Sequence, residues 1–280
     1  MLTLGYRAEQ IIEWITGYRS LEARFMVEDT PLGTLGGVKA AQNYLDDRFI
    51  VLSGDALENV DFGALVRRHT ESGMLATMVV TRVPDPRPFG VVEVNETGTV
   101  TALTEKPSSF EGAATVNCGI YLLEKACLEL VPQDTPFDFS RDFFPLLIER
   151  GQLGAYTHEG YWSDIGTPRA YYDANFAVLR GGFFTPAYNR YRDILHYAGQ
   201  TNPSLVSYAA TVTGHIEGCI VSKDACVASG ASLQACIVME GATVVGRHGY
   251  EIIGSGFSLP VGEAFSLGEN RKTAGIRTNL

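Results

Sequence analysis

Two aspartates stand where an extended run gives way to a turn: Asp55 in Ser53-Gly54-Asp55-Ala56-Leu57, and Asp164 in Trp162-Ser163-Asp164-Ile165-Gly166-Thr167-Pro168. A lone carboxylate in such a place is as a rule a turn or cap residue. Asp55, however, follows the apolar run Phe49-Ile50-Val51-Leu52, the mark of a buried parallel strand, and ligands of open parallel sheets collect beyond the carboxyl ends of the strands. A carboxylate there suits Mg2+, and a second strand-end aspartate tips the balance toward a metal. Lys106, in Glu105-Lys106-Pro107, could supply a positive charge. Proline cannot extend a ladder, so the ammonium is left to protrude, either toward a phosphate or as one half of an ordinary solvated Glu-Lys pair.

Glycines mark further places where a ligand could come close. Pro31-Leu32-Gly33-Thr34-Leu35-Gly36-Gly37 sets three of them at the head of a helix, which permits close approach of a flat ligand or of another backbone; a plain glycine-rich turn reads the same way. Phe89-Gly90-Val91-Val92-Glu93 and Asn117-Cys118-Gly119-Ile120-Tyr121 share a format, a glycine or polar residue beside a strand. Gly90 and Asn117 could serve hydrogen bonds to a hydroxylated ligand or simply pack.

The elements that must position these residues follow from periodicity. Up to about residue 180, short β-rich runs alternate with helical patterns, which predicts an α/β domain with a mainly parallel, Rossmann-like sheet and flanking helices. Strands are expected at Met1 to Gly5, Ala23 to Val27, Phe49 to Leu52, Ala76 to Thr81, Gly119 to Leu123 and Gly154 to His158, with a hairpin-like pair at Gly90 to Glu93 and Val100 to Thr104. Helices are expected over Ala8 to Trp14, Thr34 to Leu45 and Phe62 to Ser72, and from Pro168, where Thr167 would cap. Beyond a linker at 181–205, Val221, Val227 and Leu233 recur every six residues and Val238 and Val244 resume the step, with Ala225, Ala231 and Ala242 at matching places. A six-residue apolar period over 206–246 predicts a short left-handed parallel β-helix. Residues 247–280 break the period and receive no assignment.

Composition closes off several classes. The 280 residues are 45% hydrophobic and 19% charged, enough for a full-sized core. A net charge of -10 with no Lys/Arg run beyond two residues argues against a nucleic-acid backbone as partner. No apolar run has membrane-spanning length, no signal peptide is legible, and the five cysteines form no CxxC pair, so a reducing cytoplasm is the expected compartment. The histidines show no zinc or iron spacing.

In this order the segments resemble the sugar nucleotidyltransferase (NDP-sugar pyrophosphorylase) family over about residues 1–180, and the repeats resemble the β-helix that many members carry. Pro31 to Thr34, Ser53 to Leu57, Pro136-Phe137-Asp138-Phe139-Ser140 and Gly160 to Asp164 run nearest to the mannose-1-phosphate guanylyltransferase type, with the glucose-1-phosphate thymidylyl- and uridylyltransferases as rivals. The resemblance implies a nucleoside triphosphate and a sugar 1-phosphate as substrates and Mg2+ held by Asp55 and Asp164. It also implies Lys106 on the sugar phosphate, Gly90, Glu105 and Asn117 on sugar hydroxyls, and Gly33, Thr34 and Gly36 lining the base pocket.

One departure stands out. Family members open with a strand and an arginine-containing glycine-rich loop that binds the triphosphate, whereas this sequence opens at what should be the second strand. The expectation is a protein that starts upstream of Met1, and a sheet with unpaired ladder groups where the first strand would lie. A transferase and a non-catalytic sugar-phosphate-binding subunit both remain open, and the stacked repeats are expected to support a homo-oligomer.

Overall fold

The structure, a computed structural model, describes residues 1–17, 22–180, 195–198, 202–262 and 277–278. Contacts divide the chain into two compact units, Met1–Gly54 with Val60–Glu159, and Asp55–Asn59 with Gly160–Leu280. In chain order the elements of the α/β portion are β1 (Leu2–Leu4), α1 (Ala8–Thr16), β2 (Phe25–Val27), α2 (Gly33–Ala40), β3 (Arg48–Leu52), β4 (Ala56–Glu58), α3 (Phe62–Ser72) and β5 (Ala76–Val83). There follow β6 (Gly90–Val94), β7 (Val100–Glu105), β8 (Ala114–Glu124), α4 (Phe144–Glu149), β9 (Leu153–Thr157), β10 (Trp162–Asp164) and α5 (Pro168–Leu179).

Local chemistry sets these bounds. Asp61 caps α3 by accepting from Ala64 N, and Gly73 ends it at φ 65°, a left-handed turn that glycine enters at no steric cost. Thr167 caps α5 by accepting from Ala170 N, with Pro168 in the first turn, as the sequence predicts.

In the first unit β1 and β2 form a parallel pair. The larger sheet has the order β7-β6-β8-β5-β9, with β3 also on β8. Strands β3, β5 and β6 each run antiparallel to β8, and β9 runs parallel to β5. Four strands therefore share one direction, with β7 and the long β8 set against them. Met78, Leu123, Phe139, Phe143, Phe144 and Leu147 lie at the centre of the core beneath it.

The run Phe49–Leu52 departs from its expectation. It pairs antiparallel with β8, and its strand is only half covered, Ile50 being 37% and Leu52 53% exposed. An apolar run specifies that a strand wants cover but not which partner it meets, and here one edge of β3 has no strand beside it among the described residues. Among the described residues, unpaired ladder groups therefore lie beside apolar surface at this edge.

In the second unit β4 pairs antiparallel with β10, and the repeats build three parallel stacks. One runs through Ser204–Ser207, Ile220–Val221, Ile237–Val238 and Glu251–Gly254. The others run through Thr211–Val212, Cys226–Val227 and Thr243–Val244, and through His215–Glu217, Ser232–Gln234 and Arg247–Gly249. Val221, Val227, Leu233, Val238 and Val244, the residues of the six-residue step, all lie in its buried core together with the three alanines. The coil continues through 247–254, where the sequence offered no assignment, because His248 occupies the rung that Ile216 and Leu233 hold in earlier turns. Of the expected linker 181–205, the part at 181–194 and 199–201 lies outside the described residues, as does much of the tail beyond 262.

Helix α5 belongs to this second unit. Tyr172, Phe176 and Leu179 pack with Ile237 and Ile252, and the Tyr172 hydroxyl donates to Ala235 O at 2.5 Å. The contact boundary consequently falls at Glu159/Gly160, ahead of the composition change near residue 180.

Candidate active site

The two aspartates come together in the second unit. The β4–β10 ladder sets Asp164 opposite Ala56, and Ile165 N donates to Asp55 O at 2.8 Å. At the far end Asn59 clasps Tyr161, its side-chain oxygen accepting from Tyr161 N at 2.8 Å. Gly166 lies between the acids: its N–H donates to Asp164 Oδ1 at 2.7 Å. A methyl in place of its hydrogen would stand 3.1 Å from that oxygen and 3.8 Å from Asp55 Oδ2. Asp55 is exposed and Asp164 half-buried. Two carboxylates flanking a bare backbone offer oxygen ligands. Among the described residues no set of three His, Cys, Asp or Glu side chains converges on one point. That composition fits Mg2+, which is held by one or two carboxylates and completed by water and substrate phosphates.

In the first unit Gly90, Glu105 and Asn117 meet. The β6–β7 register pairs Gly90 with Glu105, and a Cβ on Gly90 would come 2.9 Å from Glu105 Oε2 and 3.7 Å from Asn117 Cβ. Asn117 is held by both ends of its amide, donating to the Tyr121 hydroxyl at 2.9 Å and accepting from Gly119 N at 2.9 Å. Burial pushes the Tyr121 hydroxyl well above its ordinary pKa, so it stays protonated while its oxygen accepts this bond. The result is a fixed amide, a carboxylate and a glycine, a set able to give and take hydrogen bonds with a polyol.

Lys106 follows directly. Its φ is 43°, a left-handed conformation uncommon for a residue with a side chain, and its N–H donates to Phe89 O at 3.1 Å. The chain thus turns out of β7 at this residue, and the lysine is exposed. Sequence reading foresaw the protruding ammonium from Pro107 but not the backbone that aims it.

Gly33, Thr34 and Gly36 are fastened to the segment around Phe137. Leu35 N and Gly36 N both donate to Phe137 O, at 2.9 and 3.0 Å. Gly33 has φ 76°, and a Cβ there would lie 2.7 Å from Phe137 O. The Thr34 hydroxyl donates to Asp138 Oδ2 at 2.7 Å and accepts from Phe139 N at 3.0 Å. Glu28 closes the other side, Oε2 accepting from Leu32 N at 3.0 Å. Asp138 and Glu28 are anchors that the sequence did not assign: Asp138 was visible within Pro136 to Ser140, but its partner lies far away along the chain.

The mixed sheet with its helices, the β4–β10 ladder that carries both aspartates and the stacked repeats define an α/β protein with a β-helical extension, and the comparisons give its family. The Nucleotidyl transferase family matches residues 5–181, and the chain belongs to that family. Among curated relatives, a mannose-1-phosphate guanyltransferase of Candida albicans is 33% identical over 60% of this chain and 48% of its own length. A probable mannose-1-phosphate guanylyltransferase 3 of Oryza sativa subsp. japonica is 30% identical over 87% and 69%. Among solved structures, HddC from Yersinia pseudotuberculosis complexed with GMP-PN is 29% identical with a TM-score of 0.54, over 61% of this chain and 74% of that one. The chain spans about half the length of the Candida protein it matches.

Proposed function

We propose that this chain carries nucleotidyl transfer from a nucleoside triphosphate to a sugar 1-phosphate, with GTP and mannose 1-phosphate as the preferred pair. The observation that carries this reading is the pair of carboxylates, Asp55 and Asp164, brought beside the bare backbone of Gly166 in a chain of the nucleotidyl transferase family. Guanylyl donor and mannosyl acceptor are suggested by the names of the curated relatives and by the guanine ligand of the HddC structure.

In this reading an oxygen of the sugar phosphate attacks the α-phosphorus in line, a new P–O bond forms, the bond to the β-phosphate bridging oxygen breaks, and pyrophosphate leaves. Asp55 and Asp164 would hold Mg2+, which supplies charge neutralisation for the phosphates when bound. Lys106 would pair with the sugar phosphate as a point charge. Asn117 and Glu105 would orient the sugar through its hydroxyls, and Gly90 would leave room for it. The Gly33–Gly36 turn, pinned to Phe137 and Asp138, would present a fixed backbone edge to the base.

The test is Mg2+-dependent release of pyrophosphate, measured with each of GTP, dTTP and UTP against mannose 1-phosphate and glucose 1-phosphate. Turnover greatest with GTP and mannose 1-phosphate, and lost in Asp164→Asn, supports the proposal. Saturable binding of mannose 1-phosphate without release of pyrophosphate from any pair would establish the other reading, a non-catalytic sugar-phosphate-binding subunit.

A further inference from the structure

The long strand β8 does not run straight past the cluster of Gly90, Glu105 and Asn117. Met78 of β5 stands opposite Tyr121 and Val80 opposite Asn117, so Cys118, Gly119 and Ile120 crowd into a stretch where β5 supplies Val79 alone. Such a bulge breaks the ladder, bends the strand and redirects the side chains beside it. At its centre is Gly119, with φ 72°, where a Cβ would stand 2.5 Å from Ser53 Oγ and whose carbonyl accepts from Ser53 N at 3.0 Å. A regular strand would set the Cα atoms of Asn117 and Tyr121 about 13 Å apart. The bulge shortens that span, and Asn117 Nδ2 donates to the Tyr121 hydroxyl at 2.9 Å.

Tyr121 is anchored independently of that bond. It is buried, and its ring centroid lies 4.6 Å from that of Phe139 and 4.9 Å from that of Phe144, two core residues. The hydroxyl is therefore a fixed point, and the Asn117 amide is suspended between it and Gly119 N. The Gly119 N–H bonds only to the amide oxygen, so the oxygen is set toward Gly119 and the nitrogen toward Tyr121, with one Nδ2 hydrogen and one Oδ1 lone pair left over. The other two members of the cluster are held less firmly. Gly90 has no side chain, and Glu105 is exposed.

Orientation is what separates one sugar from its epimer. An unrestrained amide turns freely about its last torsion and adapts to a hydroxyl on either side of the ring. A fixed amide does not adapt, and a site built to bond a hydroxyl in one place is left with an unpaired polar group when that hydroxyl points elsewhere. Resting on the sugar-phosphate reading above, we propose that Tyr121 is a positioning residue that sets epimer selectivity. Its hydroxyl holds the Asn117 amide in the orientation that bonds mannose 1-phosphate and disfavours glucose 1-phosphate.

The test is calorimetric titration of the full chain with mannose 1-phosphate and with glucose 1-phosphate, which needs no turnover. Tyr121→Phe keeps the ring between Phe139 and Phe144 and removes the hydroxyl. The expected result is a loss of at least about fivefold in affinity for mannose 1-phosphate, with a smaller loss for glucose 1-phosphate, so that the ratio of the two moves toward one. A merely structural role would weaken both sugars equally, and that outcome overturns the proposal. Unchanged affinities in the variant, or equal affinities for the two sugars in the unsubstituted chain, also overturn it while leaving the sugar-phosphate reading in place. Absence of binding of either sugar phosphate to the unsubstituted chain overturns both. If Tyr121→Phe fails to fold, exchange of the Asn117 side-chain hydrogens in the unsubstituted chain decides: protection at least about tenfold beyond that of a solvated asparagine is expected, and none would overturn the proposal.

Discussion

The carboxylates of Asp55 and Asp164 flank Gly166, and neither anchors the core. Replacing Asp164 by Asn keeps an oxygen to accept from Gly166 N and removes the charge that a cation needs. Asp164→Asn and Asp55→Asn are each expected to cut Mg2+-dependent turnover about 100-fold or more, while the urea midpoint shifts by no more than about 0.5 kcal/mol equivalent. Equal loss of folding stability and activity would show that the pair is structural. Gly33 makes the opposite case. Its φ of 76° and the 2.7 Å approach to Phe137 O leave no place for a methyl, so Gly33→Ala should cost about 2 to 3 kcal/mol in equilibrium unfolding. Gly54→Ala, where a Cβ meets nothing within 4 Å, should be close to neutral.

At the scale of elements, α3 is tied to the sheet by a buried imidazole. His69, 1% exposed, bonds Thr77 Oγ1 on β5 at 2.7 Å and Glu124 Oε1 on β8 at 3.1 Å. Arg48 on β3 pairs with the same carboxylate. Burial lowers the His69 pKa below 6.5, outweighing the upward pull of Glu124. Burial pushes Glu124 up, but the bonds from Arg48 and His69 more than offset it and its pKa is lowered. A histidine with a depressed folded pKa gives its full contribution above 6.5. As the pH falls below 6.5 the unfolded chain takes up the proton first, and stability is lost until the folded value is reached. Urea midpoints should therefore decline from pH 7 toward pH 5, and the decline should be smaller in His69→Gln. An identical decline in the variant would assign it elsewhere.

The same scale shows what the sequence made legible. Helix α3 falls where its apolar spacing put it and α5 starts where Thr167 and Pro168 put it, because a cap is a local bond between residues three positions apart; the Asp61 cap of α3 was not read from the sequence. The cluster of Gly90, Glu105 and Asn117 was traceable only through family likeness, since the β6–β7 register and a separate strand bring it together. The antiparallel seat of β3 was not legible, because strand direction is a property of the pair and not of the run. Asp138 escaped for a similar reason: the hydroxyl it holds belongs to Thr34, and no periodicity joins the two.

For the whole molecule, the repeat carries its own core. Leu233 is 1% exposed and lies on the rung between Ile216 and His248. Leu233→Ala should cost about 2 to 5 kcal/mol, read as an earlier unfolding step with the fluorescence of the α/β portion retained. The six-residue step exposed this stack in advance because each coil repeats the same inward contact. The end of the step hid the continuation, since His248 is polar yet satisfied by Glu251 and Val245 O.

Helix α5 lies inside the span shared with the family, 5–181, but its aromatic face is sealed by the coils. Recombination that exchanged repeat modules by cutting at residue 180 would strand Tyr172, Phe176 and Leu179 in water. A viable exchange must carry residues 55–59 and everything from Gly160 onward as one inheritance, so Asp55 and Asp164 would pass with the repeat rather than with the sheet.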